Sequence, residues 1–146
     1  MTETTTSWRR EAEAACSELI VGFANHIDRS EYPQVVALFS PDAVLQRRGA
    51  TMHGSGEIEA FLHKRQRDVV TRHLCTNMSI QVLGEDCAEG SAYVLFFSAQ
   101  AKPGTDFPLP AVAPAVVEYH AHFRCEEGRW RIVGLRISPV FQGVAQ

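Results

Sequence analysis

The sequence predicts an α+β fold in which about three N-terminal helices pack across the concave face of a cone-shaped, strongly curved antiparallel sheet. Apolar residues of the first half recur at three- and four-residue steps, whereas the second half is a series of β-rich runs. Segment 102–114 holds four of the seven prolines and is therefore expected to be a long loop between strands. The chain is expected to form one domain over residues 1–146, with residues 1–7 disordered.

Three helices are predicted in the first half of the chain. The first has one apolar face, made of Trp8, Ala12, Ala15, Cys16, Leu19, Ile20, Phe23 and Ile27. Asp28 follows at its end, at the edge of the buried face. Ser30 is predicted to cap a short second helix, and Ser55 to cap a third that extends over Gly56–Asp68.

The predicted strands begin with Ala43–Leu45, followed by a turn at Arg48 and Gly49. The later strands share β-branched and aromatic residues: Met78–Val82, Ser91–Ala101, Ala115–Cys125 and Trp130–Ile137, the last two joined by a turn at Glu126–Gly128. A strongly curved sheet covered by helices leaves a conical cavity, which is a natural site for a small hydrophobic molecule.

Composition and motifs exclude several classes of function. The net charge is -3 and no basic stripe is present, so a nucleic-acid partner is not expected. No apolar run is long enough to cross a membrane and no signal peptide is apparent, so no membrane partner and a cytoplasmic location are expected.

The scattered cysteines Cys16, Cys75, Cys87 and Cys125 are expected to be buried thiols. No metal or nucleotide motif has adequate spacing, so no cofactor is expected.

His73 and Asp28 are the candidate catalytic residues. His73 lies where the third predicted helix gives way to a strand, and Asp28 ends the first helix. If the carboxylate accepts the Nδ1 proton, Nε2 is left free to act as a general base near neutral pH. A buried structural pair is the alternative.

Four aromatic residues complete the predicted site as substrate-binding groups. Tyr119 and Tyr93 lie on strands and could each donate a hydrogen bond to a developing enolate, with core packing as the alternative for each. Phe23 and Trp130 are the other two. His120 and His122 alternate with Tyr119 and are therefore expected on the opposite face, at solvent or a subunit interface.

A homodimer is expected from the strand Ser91–Ala101. Both of its alternating sets are apolar, with Tyr93, Leu95 and Phe97 on one side and Val94 and Phe96 on the other. A strand that is covered on one face only would not need the second set.

Several segments resemble the SnoaL-like branch of the nuclear transport factor 2-like superfamily. The likeness extends from about Glu11 to Ser138 and is carried by five segments in order: His26–Tyr32, Val36–Ala43, Gly54-x-x-Glu57-Ile58, Thr71-Arg72-His73-x-x-x-Asn77 and Gly128–Ile132. That superfamily includes scytalone dehydratase, bile-acid 7α-dehydratase, ketosteroid isomerase, limonene epoxide hydrolase and polyketide cyclases. It also includes non-catalytic members such as the β-subunits of aromatic-ring dioxygenases, so the fold alone does not give the function.

The resemblance to scytalone dehydratase implies an Asp28–His73 dyad, but the rest of that enzyme's site is replaced. Ile27 and Arg47 stand where tyrosines are expected, and Ala92 where a second histidine is expected. Val117 and Tyr119 take the places of a serine and an asparagine. Scytalone itself is therefore not expected to be the substrate.

Two functions follow from the resemblance and the residues together. The first is a cofactor-independent lyase or isomerase, of the dehydratase or cyclase type, in which Asp28 and His73 act on a small hydrophobic, ketone-like substrate. The second is a non-catalytic protein of the same fold that binds a small molecule or partners another subunit, like the dioxygenase β-subunits.

Overall fold

A computed structural model describes residues 2–110 and 112–143, with side chains from residue 6 onward. The elements in chain order are α1 (Thr2–Asp28), α2 (Tyr32–Ala37), β1 (Phe39–Arg47), β2 (Ala50–His53), α3 (Gly54–Leu62), β3 (Val69–Val82), β4 (Cys87–Gln100), β5 (Ala115–Glu126) and β6 (Arg129–Phe141). The α+β fold class predicted from the sequence is confirmed.

The strands form one curved sheet of six strands in the order β2-β1-β6-β5-β4-β3. Every neighbouring pair is antiparallel except β1 and β6, which are parallel. The β3–β4 register shifts between Thr76 and Ser79, where Asn77 has a left-handed φ of 48°. Such bulges bend a strand and increase its twist.

The core lies between α1 and the concave face of the sheet. Cys16, Ile20 and Phe23 of α1 are buried, as are Tyr119 and Phe123 of β5. Removing an apolar side chain of this size from water stabilises the fold by about 1.5–3 kcal/mol. The helix is therefore fixed across the sheet along most of its length, and its C-terminal end is held beside β3.

Two element boundaries differ from the prediction in ways that matter for the site. Helix α3 ends at Leu62 rather than Asp68, and β3 begins at Val69, so His73 lies within a strand instead of at its edge. Apolar helix spacing stops at Leu62, and residues 69–71 are all β-branched, which favours a strand.

Other differences concern the ends and edges of the chain. The structure continues α1 through residues 2–7, which the sequence analysis expects to be disordered; residue 1 lies outside the described residues. The short edge strand β2 is not among the predicted strands. The turn between β5 and β6 is confirmed: Glu127 and Gly128 both have positive φ, as in a two-residue hairpin turn. Described residues of the proline-rich loop are irregular, as expected.

The cysteines agree only in part with the prediction. All four are free thiols, but Cys87 is exposed, and Cys75 and Cys125 are half-buried. The prediction that all are buried is wrong for Cys87 because it is the first residue of β4, beside a turn. Within the described ranges, no helix is long and apolar enough to cross a membrane.

The convex face of the sheet carries an apolar patch, here called the outer patch: Leu74, Tyr93, Leu95 and Phe97. Leu74 lies opposite Leu95 in the β3–β4 register, and Leu95 lies opposite Val116 of β5. Leu74 and Tyr93 are 47% and 48% exposed. Neighbouring exposed apolar side chains of this kind are typical of contact surfaces.

We propose that two copies of the chain pair through the outer patch. Light scattering after gel filtration is expected to give twice the 16.2 kDa chain mass at micromolar concentration. Leu74→Glu should give a folded monomer, because a charge would be buried at the interface. Leu83→Glu is the matched control, since Leu83 is 53% exposed and lies between β3 and β4, away from the patch. A wild type that elutes as a monomer would contradict the proposal.

Candidate functional site

A cavity of about 370 Å³ lies between the helices and the concave face of the sheet. Most of its lining is apolar and includes Phe23, Ile27, Leu45, Phe61, Phe96 and Val117. Its polar side chains are Arg47, Arg65, Gln66, Thr71, His73, Ser98 and Tyr119. A pocket of this size and character suits a small hydrophobic molecule held by a few polar contacts.

Asp28 is the last residue of α1, and among the described residues the hydrogen bonds to its carboxylate all come from β3. Oδ1 accepts hydrogen bonds from Thr71 Oγ1 at 2.8 Å and His73 Nδ1 at 2.6 Å, and Oδ2 accepts one from the His73 backbone N–H at 2.9 Å. The Asp28 side chain is 10% exposed. A nearly buried carboxylate is stable here because donors surround it.

His73 projects from β3 toward the cavity, on the same strand face as Thr71 because side chains alternate along a strand. Its ring lies 4.7 Å from that of Phe96, its partner in the β3–β4 register, at an interplanar angle of 33°. With Nδ1 bonded to Asp28, the neutral tautomer has its proton on Nδ1 and a lone pair on Nε2. No described residue forms a hydrogen bond with Nε2.

Burial sets the protonation state of His73. Loss of water around the ring lowers its pKa below 6.5, and this outweighs the hydrogen bond and negative charge of Asp28, which raise the pKa. The positive charge of Arg65 lowers the pKa further. His73 is therefore mostly neutral at pH 7 and available as a base.

Tyr119 lies deep in the same cavity. Its side chain is 1% exposed and meets the Phe23 ring edge-on at 5.8 Å. Burial raises the pKa of its phenol, so the hydroxyl keeps its proton and can act as a hydrogen-bond donor. Side chains from residue 6 to 143, residue 111 aside, form no hydrogen bond with this hydroxyl.

The structure separates the six predicted site residues into two groups. His73, Tyr119 and Phe23 line the cavity, with Asp28 bonded to His73 but not itself part of the lining. The prediction is wrong for Tyr93 and Trp130. Tyr93 is an odd-numbered residue of β4 and lies on the convex face, whereas Phe96 and Ser98 face the cavity. Trp130 packs against the core beside the β5–β6 turn and does not reach the cavity.

Sequence reasoning misses the polar lining residues Thr71, Arg65, Gln66 and Ser98. Thr71 could have been found once residues 69–77 are recognised as a strand. Side chains alternate between the two faces of a strand, so Thr71, two residues from His73, lies on the same face. Arg65 and Gln66 fall within the predicted third helix, whereas the chain leaves α3 at Leu62 and passes along the cavity.

The other histidines lie away from the cavity. His26 Nδ1 pairs with Glu31 at 2.5 Å, so it does not compete for Asp28. His120 Nε2 lies 3.2 Å from Glu118 on the convex face of β5, and His122 is exposed on that face, as expected from alternation.

A family model described as a SnoaL-like domain matches residues 8–136. The chain belongs to this SnoaL-like family. The resemblance predicted from the sequence is therefore confirmed, and the family accounts for the cone-like α+β fold. No curated protein matches the sequence.

Solved structures support the same fold at low sequence identity. A hexachlorocyclohexane dehydrochlorinase (LinA, type 2) superimposes with a TM-score of 0.81 at 17% identity, over 96% of this chain and 93% of the other. A candidate scytalone dehydratase from Novosphingobium aromaticivorans gives 0.77 at 16% identity, over 97% and 93%. A variant of a Mycobacterium tuberculosis protein of unknown function gives 0.74 at 20% identity, over 96% and 77%.

Thr71→Val is expected to lower the free energy of unfolding by about 1–2 kcal/mol, because the buried Asp28 carboxylate would lose a donor. Urea denaturation measures this change. Thr76→Val is the matched control on the same strand: its hydroxyl donates to the Tyr93 carbonyl at 3.3 Å in an exposed position, and a change within about 0.5 kcal/mol is expected. Equal effects of the two substitutions would mean that the Thr71 hydroxyl does not support the carboxylate.

Asp28→Asn is expected to lower the pKa of His73 further, since it removes the charge and the acceptor that raise this pKa. NMR titration of the His73 ring proton measures the shift. Glu31→Gln, which removes the partner of His26, should leave the His73 pKa unchanged. A His73 pKa that stays the same or rises in Asp28→Asn would show that burial and the ion pair are not the opposing influences.

Proposed function

We propose that the protein is a cofactor-independent lyase or isomerase in which His73 acts as the general base on a small hydrophobic substrate with a carbonyl group. The observation that carries this proposal is the 2.6 Å contact between His73 Nδ1 and Asp28 Oδ1, with the other side of the ring open to a 370 Å³ cavity. A purely structural pair would not need that opening.

In the proposed reaction, Nε2 of neutral His73 removes the proton on the carbon next to the substrate carbonyl. The C–H electron pair moves into a new carbon–carbon double bond and the carbonyl oxygen becomes an enolate. For a dehydration, the enolate re-forms the carbonyl, the bond to the β-hydroxyl breaks, and the imidazolium proton leaves with it as water. For an isomerisation, the proton returns to a different carbon.

Asp28 and Tyr119 have distinct parts in this proposal. Asp28 accepts the Nδ1 hydrogen bond, which orients the His73 ring, and its negative charge stabilises the imidazolium that forms. It does this without contacting the substrate. Tyr119 is the candidate donor to the enolate oxygen, because its phenol keeps its proton in the cavity. Phe23 and the other apolar lining residues exclude water from the hydrophobic part of the substrate.

The pH dependence of kcat/KM is expected to follow the neutral fraction of His73. Because burial lowers the pKa of this ring below 6.5, kcat/KM should be constant around pH 7 and fall as the pH drops through the lowered value. Stability should also fall below pH 6.5, because the unfolded chain then binds a proton that the folded protein resists. An acidic limb centred above 6.5 would argue against buried His73 as the base.

Turnover of His73→Asn is expected to be lower than that of the wild type by about two to four orders of magnitude, with the fold intact by circular dichroism. Asp28→Asn should also reduce turnover strongly, because the imidazole loses the acceptor that fixes its tautomer. The assay follows absorbance of the conjugated product from a panel of β-hydroxy ketones and β,γ-unsaturated ketones. His122→Asn, on the convex face of β5, is the matched control and should retain wild-type turnover.

An active wild type whose rate is unchanged in His73→Asn would refute this mechanism. A folded wild type that binds panel members without converting any of them would favour the non-catalytic, ligand-binding function instead.

A further inference from the structure

The cavity holds two guanidinium groups that its proposed acid–base chemistry does not use. Arg65 and Arg47 both line it, and neither forms an ion pair with a described residue. Arg65 is half-buried, and Arg47 is more exposed, at the cavity mouth. A partly buried charge such as that of Arg65 is costly in a largely apolar pocket unless an opposite charge meets it.

Within the described part of the chain, the two arginines make few contacts through their guanidinium groups. Arg65 Nη2 reaches Thr71 Oγ1 at 3.5 Å, the outer limit of a hydrogen bond, and this uses only one of the five N–H donors of a guanidinium. The Arg47 guanidinium carbon lies over the Phe61 ring, 5.5 Å from its centre, in a cation–π contact.

The charges around the cavity do not balance when His73 is neutral. Asp28 contributes one negative charge behind His73, whereas Arg65 and Arg47 contribute two positive charges. Both arginines are close enough to Tyr119 to affect its pKa. Burial raises the pKa of the Tyr119 phenol, and the positive charges of Arg65 and Arg47 oppose that rise. One negative charge on a bound molecule would restore neutrality beside the Tyr119 hydroxyl.

We propose that the substrate is a hydrophobic carboxylic acid that also carries the reacting carbonyl group, and that its carboxylate is bound by Arg65 with Arg47 at the cavity mouth. This rests on the proposed function and specifies its substrate class. A planar guanidinium edge matches a carboxylate by paired N–H donors. The apolar body of the acid lies among the aromatic side chains Phe23, Phe61 and Phe96, which line the same cavity.

A carboxylate at this position also has a consequence for the reaction. Removing a proton from a molecule that is already an anion is disfavoured, because the product carries a second negative charge. Arginines that neutralise the first charge reduce this penalty. Arg65 is expected to matter more than Arg47, since it is the less exposed of the two.

The test measures binding of unreactive acids by isothermal titration calorimetry in mildly alkaline buffer. The probes are benzoate, naphthalene-2-carboxylate and 4-phenylbutanoate, each paired with its neutral carboxamide. The best-bound acid is expected to bind the wild type about 10- to 100-fold more tightly than its amide, the size of one or two charge-assisted hydrogen bonds. Arg65→Gln should abolish this preference, and Arg47→Gln should reduce it.

Matched controls come from neighbouring arginines that do not line the cavity. Arg67→Gln controls for Arg65, and Arg48→Gln controls for Arg47; both should keep the preference of the wild type. Equal affinity for acid and amide, a preference that survives Arg65→Gln, or no detectable binding of any acid by folded wild type would overturn the proposal.

This experiment separates the substrate class from the catalytic role. The probes do not react, so their binding does not depend on His73 as a base. If the acid preference is absent while His73→Asn still loses turnover on ketones, the carboxylate assignment fails and the proposed function stands. If the preference is present and His73→Asn retains turnover on the substrates that the wild type converts, the proposed mechanism fails and anion binding stands.

Discussion

The Asp28 carboxylate is the interaction on which the arrangement of the site depends. It joins the end of the long first helix to the N-terminal part of β3 through three hydrogen bonds, two from side chains and one from the backbone. The backbone bond positions the strand and the Nδ1 bond orients the ring, so one group fixes both. Because all three donors belong to residues 71 and 73, the geometry follows from the two-residue repeat of a strand together with the place where the helix ends.

The surroundings of this carboxylate determine what the pair can do. Burial lowers the pKa of His73 more than the negative charge of Asp28 raises it, so the ring is neutral. Burial also raises the pKa of Tyr119, which keeps its proton. A base and a hydrogen-bond donor therefore line the same apolar cavity. The cone-like fold provides that space, and the polar groups that line it determine its chemistry. In this chain those groups include Arg47 and Arg65, whose charges the dyad does not use.

The sequence is most informative where a long periodic pattern and a family resemblance coincide. The apolar face of α1 places Asp28 at the end of a buried helix, and the resemblance pairs it with His73. The errors arise where a local signal is ambiguous. Residues 63–68 continue a helix-like composition but form the connection to β3, which hides Arg65 and Gln66 among surface charges. The prediction places Tyr93 wrongly because both faces of its strand are apolar, and composition cannot tell which set faces inward.

Strand β3 separates the cavity from the convex outer surface of the sheet. Thr71 and His73 face the enclosed space, and the residues between and after them, Arg72 and Leu74, face outward. A distance of one residue therefore separates the imidazole from the surface at which another copy would dock. In a dimer built this way, the second copy would cover Leu74 on the outer face of the strand, while His73 would still face the cavity of its own subunit.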